Sequence, residues 1–168
     1  MIMKLDINKM VIEIKTLMID SGYQIEPPVN KQFFDSILNN PVYSTPSLIL
    51  NQIGREFYFL LVKQPDYAVF LNHMDGFEYD GLRLFSVSNP EPAVKNVFLI
   101  NEYYRNNDIY NDPVLQKRLV IGEDGMSLFT YDATKDLFEI RDSAASESVY
   151  GKFDNFTHFL AEIVETIK

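Results

Sequence analysis

The sequence predicts an α+β domain, an antiparallel sheet flanked by helices, and three observations carry that expectation. Six separated segments repeat apolar residues at helical spacing. Three short strand signals follow one another between Leu119 and Ile140, divided by turn sequences. At 168 residues, 46% of them hydrophobic, the chain is the size of one core rather than two.

The first helix is marked by Ile7, Val11, Ile14 and Met18 between Asp6, a candidate N-cap, and the stop Ser21-Gly22. Glu26-Pro27-Pro28 forces an extended link, because proline pushes the residue before it out of the helical region. Lys31 to Leu38 makes a short helix ended by Asn39-Asn40-Pro41, and Tyr43 to Pro46 forms a second link. From Ser47 the residues Leu48, Ile49, Ile53, Phe57, Leu60 and Leu61 again suit a helix. The run from Phe57 to Val62 has the composition of a strand as well, and the spacing favours helix.

Gln64-Pro65-Asp66 breaks that helix and starts another, with Tyr67, Phe70, Leu71 and Met74 on one face pointing to the core. Gly76 stands where a left-handed residue would close it. A turn at Asp80-Gly81 leads to a strand containing Leu82, Leu84 and Phe85 to Val87. Asn89-Pro90-Glu91-Pro92 is a rigid link, Val97 to Arg105 returns to helix, and Asn106 to Pro113 is a polar loop. Leu119 to Ile121, Met126 to Tyr131 and Leu137 to Ile140 then form an antiparallel meander around the turns Glu123-Asp124-Gly125 and Asp132-Ala133-Thr134-Lys135. Phe153, Phe156, Leu160, Ile163, Val164 and Ile167 are expected on one stripe of a last helix capped at or near Asp154.

Composition excludes several chemistries. Cysteine is absent, which removes disulfides, iron–sulfur clusters, thiolate zinc sites and cysteine nucleophiles and suits a reducing cytoplasm. Charged residues from Lys4 to Lys15 interrupt any signal-peptide core, and the longest apolar run, Phe57 to Val62, is far below the ~20 residues of a spanning helix. A cytoplasmic protein without a membrane partner is expected. The net charge of −9 argues against direct nucleic-acid binding, which needs basic side chains for phosphate. The charge is uneven: residues 75–112 hold seven acids against three bases, and residues 121–154 eight against three. Such segments serve solubility or dock a basic protein partner.

The stretch "HMDGFEYD" gathers the candidates for metal or acid/base chemistry, His73 with Asp75, Glu78 and Asp80. The arrangement lacks the i, i+4 ligand spacing of helical metal sites, and a histidine near a helix C-terminus is favoured by the macrodipole alone. No metal and no cofactor are expected. Gly122-Glu123-Asp124-Gly125 lacks the Lys-Ser/Thr of a phosphate loop and suits a hairpin turn. Asp108, Asn111 and Asp112 are not spaced as a calcium loop, and His158 suits a helix surface. The carboxylate pairs Glu139/Asp142 and Asp132/Asp136 have no fixed separation of the kind glycoside hydrolysis requires. By elimination a binding module rather than an enzyme is expected.

The ordered segments "PDYAVFLNHMDGFEYDGLRLFSV", "NVFLINEYYRNND", "KRLVIGEDGMSLFTYDATKDLFEI" and "FDNFTHFLAEIVETI" resemble the SUKH superfamily, also called SMI1/KNR4, and look closest to its YrhA-like branch. The resemblance runs from Pro65 to Ile167 of a single domain over 1–168, leaving 1–63 as a helical part outside it. The family's Leu-Pro-x-x-Tyr-x-x-Phe-Leu helix and its Asn-Gly turn match Pro65, Tyr67, Phe70, Leu71 and Gly76, while Gln64 and Asp75 replace the family's leucine and asparagine. The resemblance implies a SUKH-like α+β fold without a catalytic centre. Bacterial members are commonly immunity proteins against toxins, often nucleases, of polymorphic or contact-dependent systems; fungal relatives are linked to cell-wall assembly. Asp75, Glu78, Asp80, Glu123 and Asp124 are the expected border of the face that docks a basic toxin. Alternatives are a regulatory or scaffold module and a small metal-dependent hydrolase built on His73.

Overall fold

A computed structural model describes residues 5–39, 47–88, 95–106 and 112–167. Six helices and one six-stranded antiparallel sheet make an α+β fold, as the sequence predicts. The order is α1 (Ile7–Asp20), α2 (Lys31–Asn39), α3 (Leu48–Lys63), α4 (Pro65–His73), β1 (Phe77–Tyr79), β2 (Leu82–Leu84) and α5 (Val97–Arg105). A 3-10 turn (Leu115–Lys117) then leads into β3 (Leu119–Glu123), β4 (Ser127–Asp132), β5 (Leu137–Asp142), β6 (Val149–Phe153) and α6 (Phe156–Glu165). The strands lie in sequence order, each paired with the next. Among the described residues no helix is long and apolar enough to cross a membrane.

Helix starts are set by side-chain caps that satisfy otherwise orphaned N–H groups. Asp6 accepts from Asn8 N at 2.9 Å, Ser47 from Leu50 N at 3.2 Å, and Asn96 from Phe98 N and Leu99 N. Asn155 accepts from Thr157 N and His158 N, so the cap of α6 is the neighbour of Asp154. The run from Phe57 to Val62 is helical. The links at 43–46 and 89–92 lie outside the described residues, as does most of the loop after Asn106.

Several expectations are corrected. Phe153 does not share the α6 stripe; it closes β6, an outer strand whose side chains alternate between half-buried and exposed. Ile167 lies beyond α6. Phe77–Tyr79 is a strand, paired across Asp80-Gly81 with Leu82–Leu84, and the second strand stops there instead of running to Val87. Ser86 instead makes a single parallel bridge to Asn96. Met126 is a strongly exposed turn residue before β4. Met74 follows α4 with extended backbone, although it is buried as its spacing predicts.

β4 is buried along its whole length, and its two faces differ in kind. Phe129 and Tyr131, with Phe138 of β5, form the aromatic face. Phe138 stacks on Phe159 at 5.3 Å and 14°, and lies 5.6 Å from Phe156. Phe156 reaches Tyr67 at 5.0 Å and Phe70 at 5.7 Å, and Tyr67 meets Phe57, so one set of rings joins α3, α4 and α6 to the sheet. Ile7, Val11, Ile14 and Met18 of α1 complete this core.

Beyond the short β2, the edge of β3 would be unpaired. Asn101 of α5 fills the gap: its Oδ1 accepts from Val120 N and its Nδ2 donates to Val120 O, both at 2.8 Å. A buried side-chain amide thus stands where another strand's peptide would.

Gln64, the single residue between α3 and α4, ties that junction to the β4–β5 turn and to the start of α6. Its Nε2 donates to Asp136 Oδ1 at 2.9 Å and to the Asp154 carbonyl, and its Oε1 accepts from Phe156 N at 3.1 Å. Leucine could make none of these bonds.

Phe70 is fully buried, so Phe70→Ala should cost ~3–5 kcal/mol in denaturant unfolding. The buried Tyr67 hydroxyl has no acceptor among the described residues. Burial, then the Asp75 charge, raises its pKa well above the ordinary tyrosine value. Tyr67→Phe should therefore be neutral or stabilise by up to about 1 kcal/mol, since it removes an unsatisfied polar group. A loss comparable to that of Phe70→Ala would show that this hydroxyl is bonded in solution.

Candidate functional site

The sheet topology decides which acids can meet. In a meander the β1–β2, β3–β4 and β5–β6 turns must fall at one end and the β4–β5 turn at the other. With strands about 4.8 Å apart, the three turns are spread over about 20 Å. Their acids form a rim: Asp80 on the first, Asp124 on the second, and Asp142 with Glu147 on the third.

Each turn is shaped by its own aspartate. Asp80 and Gly81 both have positive φ, 51° and 84°, the type I′ geometry whose twist matches a two-residue hairpin. Tyr23 holds this hairpin against the end of α1, its hydroxyl accepting from Asp80 N at 3.2 Å. Asp124 Oδ1 accepts from Met126 N and Ser127 N, closing a hairpin turn over Asp124–Met126, while Gly122 and Glu123 are paired residues of β3. Asp142 Oδ1 accepts from Ala144 N and Ala145 N, and its Oδ2 accepts from the Tyr150 hydroxyl. The Tyr150 bond and then the Ala144 N–H hold Asp142 below the usual carboxylate range, and the same bond raises Tyr150.

Glu78 and Glu123 belong to a cross-strand ladder. Arg83 lies opposite both and bonds Glu78 at 3.2 Å and Glu123 at 3.5 Å, while Lys95 reaches Glu123 at 2.8 Å. Such part-exposed pairs contribute only ~0–1 kcal/mol each, so the ladder fixes positions more than stability. The structure thus brings Glu78, Asp80, Glu123 and Asp124 to one end of the sheet.

Asp75 is not among them. At 2% exposure it lies inside, accepting from Val87 N at 2.7 Å, Ser88 N at 3.0 Å and Ser88 Oγ at 2.6 Å. Ser88 Oγ in turn accepts from Asn30 N, and Asn30 caps α2, so Asp75 ties the exit from β2 to the start of α2. Its backbone N–H also holds the Pro27 carbonyl. Asparagine has only one acceptor oxygen for these donors, which accounts for aspartate before Gly76. Gly76 has φ 84°, yet the helix has already ended at His73; a Cβ there would lie 2.6 Å from Leu84 O and 2.8 Å from Ser86 N. Close approach to the chain after β2 demands glycine as much as backbone conformation does.

His73, the last residue of α4, places Nε2 2.9 Å from Asn8 Oδ1, while the Asp75 oxygens face Val87 and Ser88. Among the described residues no three His, Asp or Glu side chains are grouped to hold a metal. His158 is exposed on α6, as expected.

The non-aromatic face of β4 and β5 carries a second, internal cluster, which sequence spacing could not assemble. Glu139 receives Arg141 Nη2 at 2.6 Å, Arg118 Nε at 2.7 Å and Thr130 Oγ1 at 3.2 Å. Arg118 also pairs with Asp132 at 3.3 Å, and Arg141 Nη1 donates to Ser146 O at 2.7 Å. Burial would raise the Glu139 pKa, but the hydrogen bonds and charges of the two arginines outweigh it and hold the carboxyl below its ordinary 4.5. Glu139 and Asp132 are therefore structural anions. Asp142 and Glu147 are the rim acids that sequence reading missed; the small polar run Ser143–Ser148 marked their loop, but the missed β6 concealed the turn.

These features define an α+β domain with a six-strand meander and an acidic rim. No protein-family model and no solved structure matches the chain. "Putative uncharacterized protein YrhA" of Escherichia coli (strain K12) is 46% identical over 136 residues, covering 81% of this chain and 96% of the relative. The chain belongs to the YrhA family.

Asp75→Asn should lower stability by ~1–3 kcal/mol, the cost of leaving buried donors unmatched, as measured by denaturant titration. Glu139→Gln should cost ~3–5 kcal/mol near neutrality by stranding its arginines. Because the folded carboxyl lies below its ordinary value, this stabilisation is complete above pH 4.5 and fades as pH falls through the folded pKa. Unfolding at pH 7 and pH 3 should therefore show the gap between wild type and Glu139→Gln closing in acid.

Proposed function

We propose that the protein is a cytoplasmic, non-catalytic binding domain of SUKH (SMI1/KNR4) type. Its role is that of an immunity protein neutralising a basic toxin, a nuclease in the simplest case. The observation that carries this reading is the acidic rim, where one end of the sheet presents Asp80, Asp124, Asp142 and Glu147 beside the Glu78–Arg83–Glu123–Lys95 ladder. A nuclease must bear a cationic surface to hold nucleic acid, and a rim of opposite sign both accelerates encounter and covers that surface. The domain itself needs no contact with nucleic acid.

Asp124 and Asp142 are held by turn backbones, so these two rim acids are pre-positioned and lose little freedom on docking. Met126 and Tyr150 are exposed at the same end and supply apolar area beside the charges.

The test begins with coexpression alongside the product of the adjacent gene, scoring cell survival and complex formation. Asp80→Asn, Asp124→Asn and Glu147→Gln keep turn-compatible side chains while removing three charges. Combined, they should slow association about tenfold at low salt and flatten its salt dependence, leaving dissociation and unfolding nearly unchanged. An unchanged association rate would move the interface elsewhere. A cell-envelope protein as the captured partner would favour a regulatory role in wall assembly.

A further inference from the structure

At the end of the sheet opposite the rim, a cleft of about 490 Å³ opens between α3, the last residue of α5, the 3-10 turn and the β4–β5 turn. Its volume is within the ~300–1,000 Å³ of small-molecule sites, and the described residues that line it are all polar or charged. Five of the chain's fifteen Lys and Arg residues line it, in a protein of net charge −9.

These cations fall into two groups. Arg105 and Arg118 form the back of the cleft, and their charges are already matched. Arg105 pairs with Glu56 and donates from Nη2 to the Arg118 carbonyl at 2.8 Å; Arg118 is held by Asp132 and Glu139. Among the described residues Glu56 and Asp132 are the only acids in the lining, and both are occupied. The mouth holds Arg55, Lys117 and Lys135, all exposed, with no ion pair or hydrogen bond from their side chains among the described residues. Three uncompensated cations around one concavity cost mutual repulsion, which an anionic occupant would relieve. At the back, the buried Arg105 Nε–H also lacks an acceptor.

We propose that this cleft binds a small phosphorylated molecule, with Arg55, Lys117 and Lys135 gripping its phosphate groups and the matched Arg105 and Arg118 forming a rigid wall. Phosphate fits because it offers several strong acceptors to lysine and arginine at once. The amides of Gln52 and Gln116 and the Thr134 hydroxyl serve the remaining polar part of the ligand. Among the described residues no aromatic ring lines the cleft, so recognition there does not rely on base stacking. The site is separate from the rim proposed for the protein partner.

Inorganic pyrophosphate is the probe, titrated into the full chain by calorimetry and thermal unfolding, with sodium chloride at matched ionic strength as reference. Pyrophosphate should bind one site saturably, more tightly than inorganic phosphate, and raise Tm. Substituting Arg55→Ala, Lys117→Ala and Lys135→Ala together should weaken this at least tenfold. Lys9→Ala, Lys31→Ala and Lys152→Ala change the net charge equally at exposed positions outside the cleft and should leave binding within about twofold. No saturable response, or equal losses in both triple variants, would overturn the proposal. So would tighter binding of a single-stranded RNA than of pyrophosphate, which would mark the cleft as a nucleic-acid surface.

Discussion

The structure depends on the full burial of β4, a strand with no solvent face and with different chemistry on its two sides. Toward α6 it presents aromatic rings, where burial is favourable in itself. On the other side it presents Thr130 and Asp132 beside Glu139 and Arg141, where burial is favourable only if every charge meets its opposite. Glu139 resolves that requirement by receiving two guanidinium groups, one from its own strand and one from the residue before β3. The Arg141 bond to Ser146 and the Ser146 bond to Asp112 then bring the outer loops over the charged face. Charge pairing here serves geometry: it lets a meander carry covering layers on both sides.

The parts legible in the sequence were those set by local chemistry. Asp6, Ser47 and Pro65 announce helix starts within one residue of the observed ones, because a cap or a missing N–H acts on its own neighbours. The turns at Asp80-Gly81 and Asp124-Gly125 were visible for the same reason. What stayed hidden was set by distant residues. β6 reads Val-Tyr-Gly-Lys-Phe, and its alternation is masked, because Gly151 adds no side chain to the half-buried face of Val149 and Phe153 while the aromatic Tyr150 lies on the exposed one. Asp75 looked like a surface acid because its Asp-Gly pair is turn chemistry, whereas its environment is decided by Val87 and Ser88. The basic cleft draws on residues 55, 105, 117, 118 and 135, which no sequence window contains together.

Net charge alone described this protein poorly. A total of −9 suggests a uniformly acidic surface, yet the fold sends acidic turns to one end of the sheet and gathers a third of its basic residues around a cleft at the other. The separation follows from topology, since alternate turns of a meander must lie at opposite ends. Charges of opposite sign are therefore offered to the surroundings at opposite ends of one sheet.

Strand order bears on how such a chain reaches its native state. Every ladder joins strands adjacent in sequence, and most are closed by short turns, so most of the sheet is built from contacts of small sequence separation. Local hairpins of this kind form on the microsecond scale, and low contact order speeds folding. The exception is the β2–β3 ladder, whose partners are separated by α5 and the chain on either side of it. Closing that loop carries the largest entropy loss of any ladder in the sheet. Asn101, pinned to Val120 from inside the loop, shortens the span left to close and offers α5 as the natural first contact of the two halves.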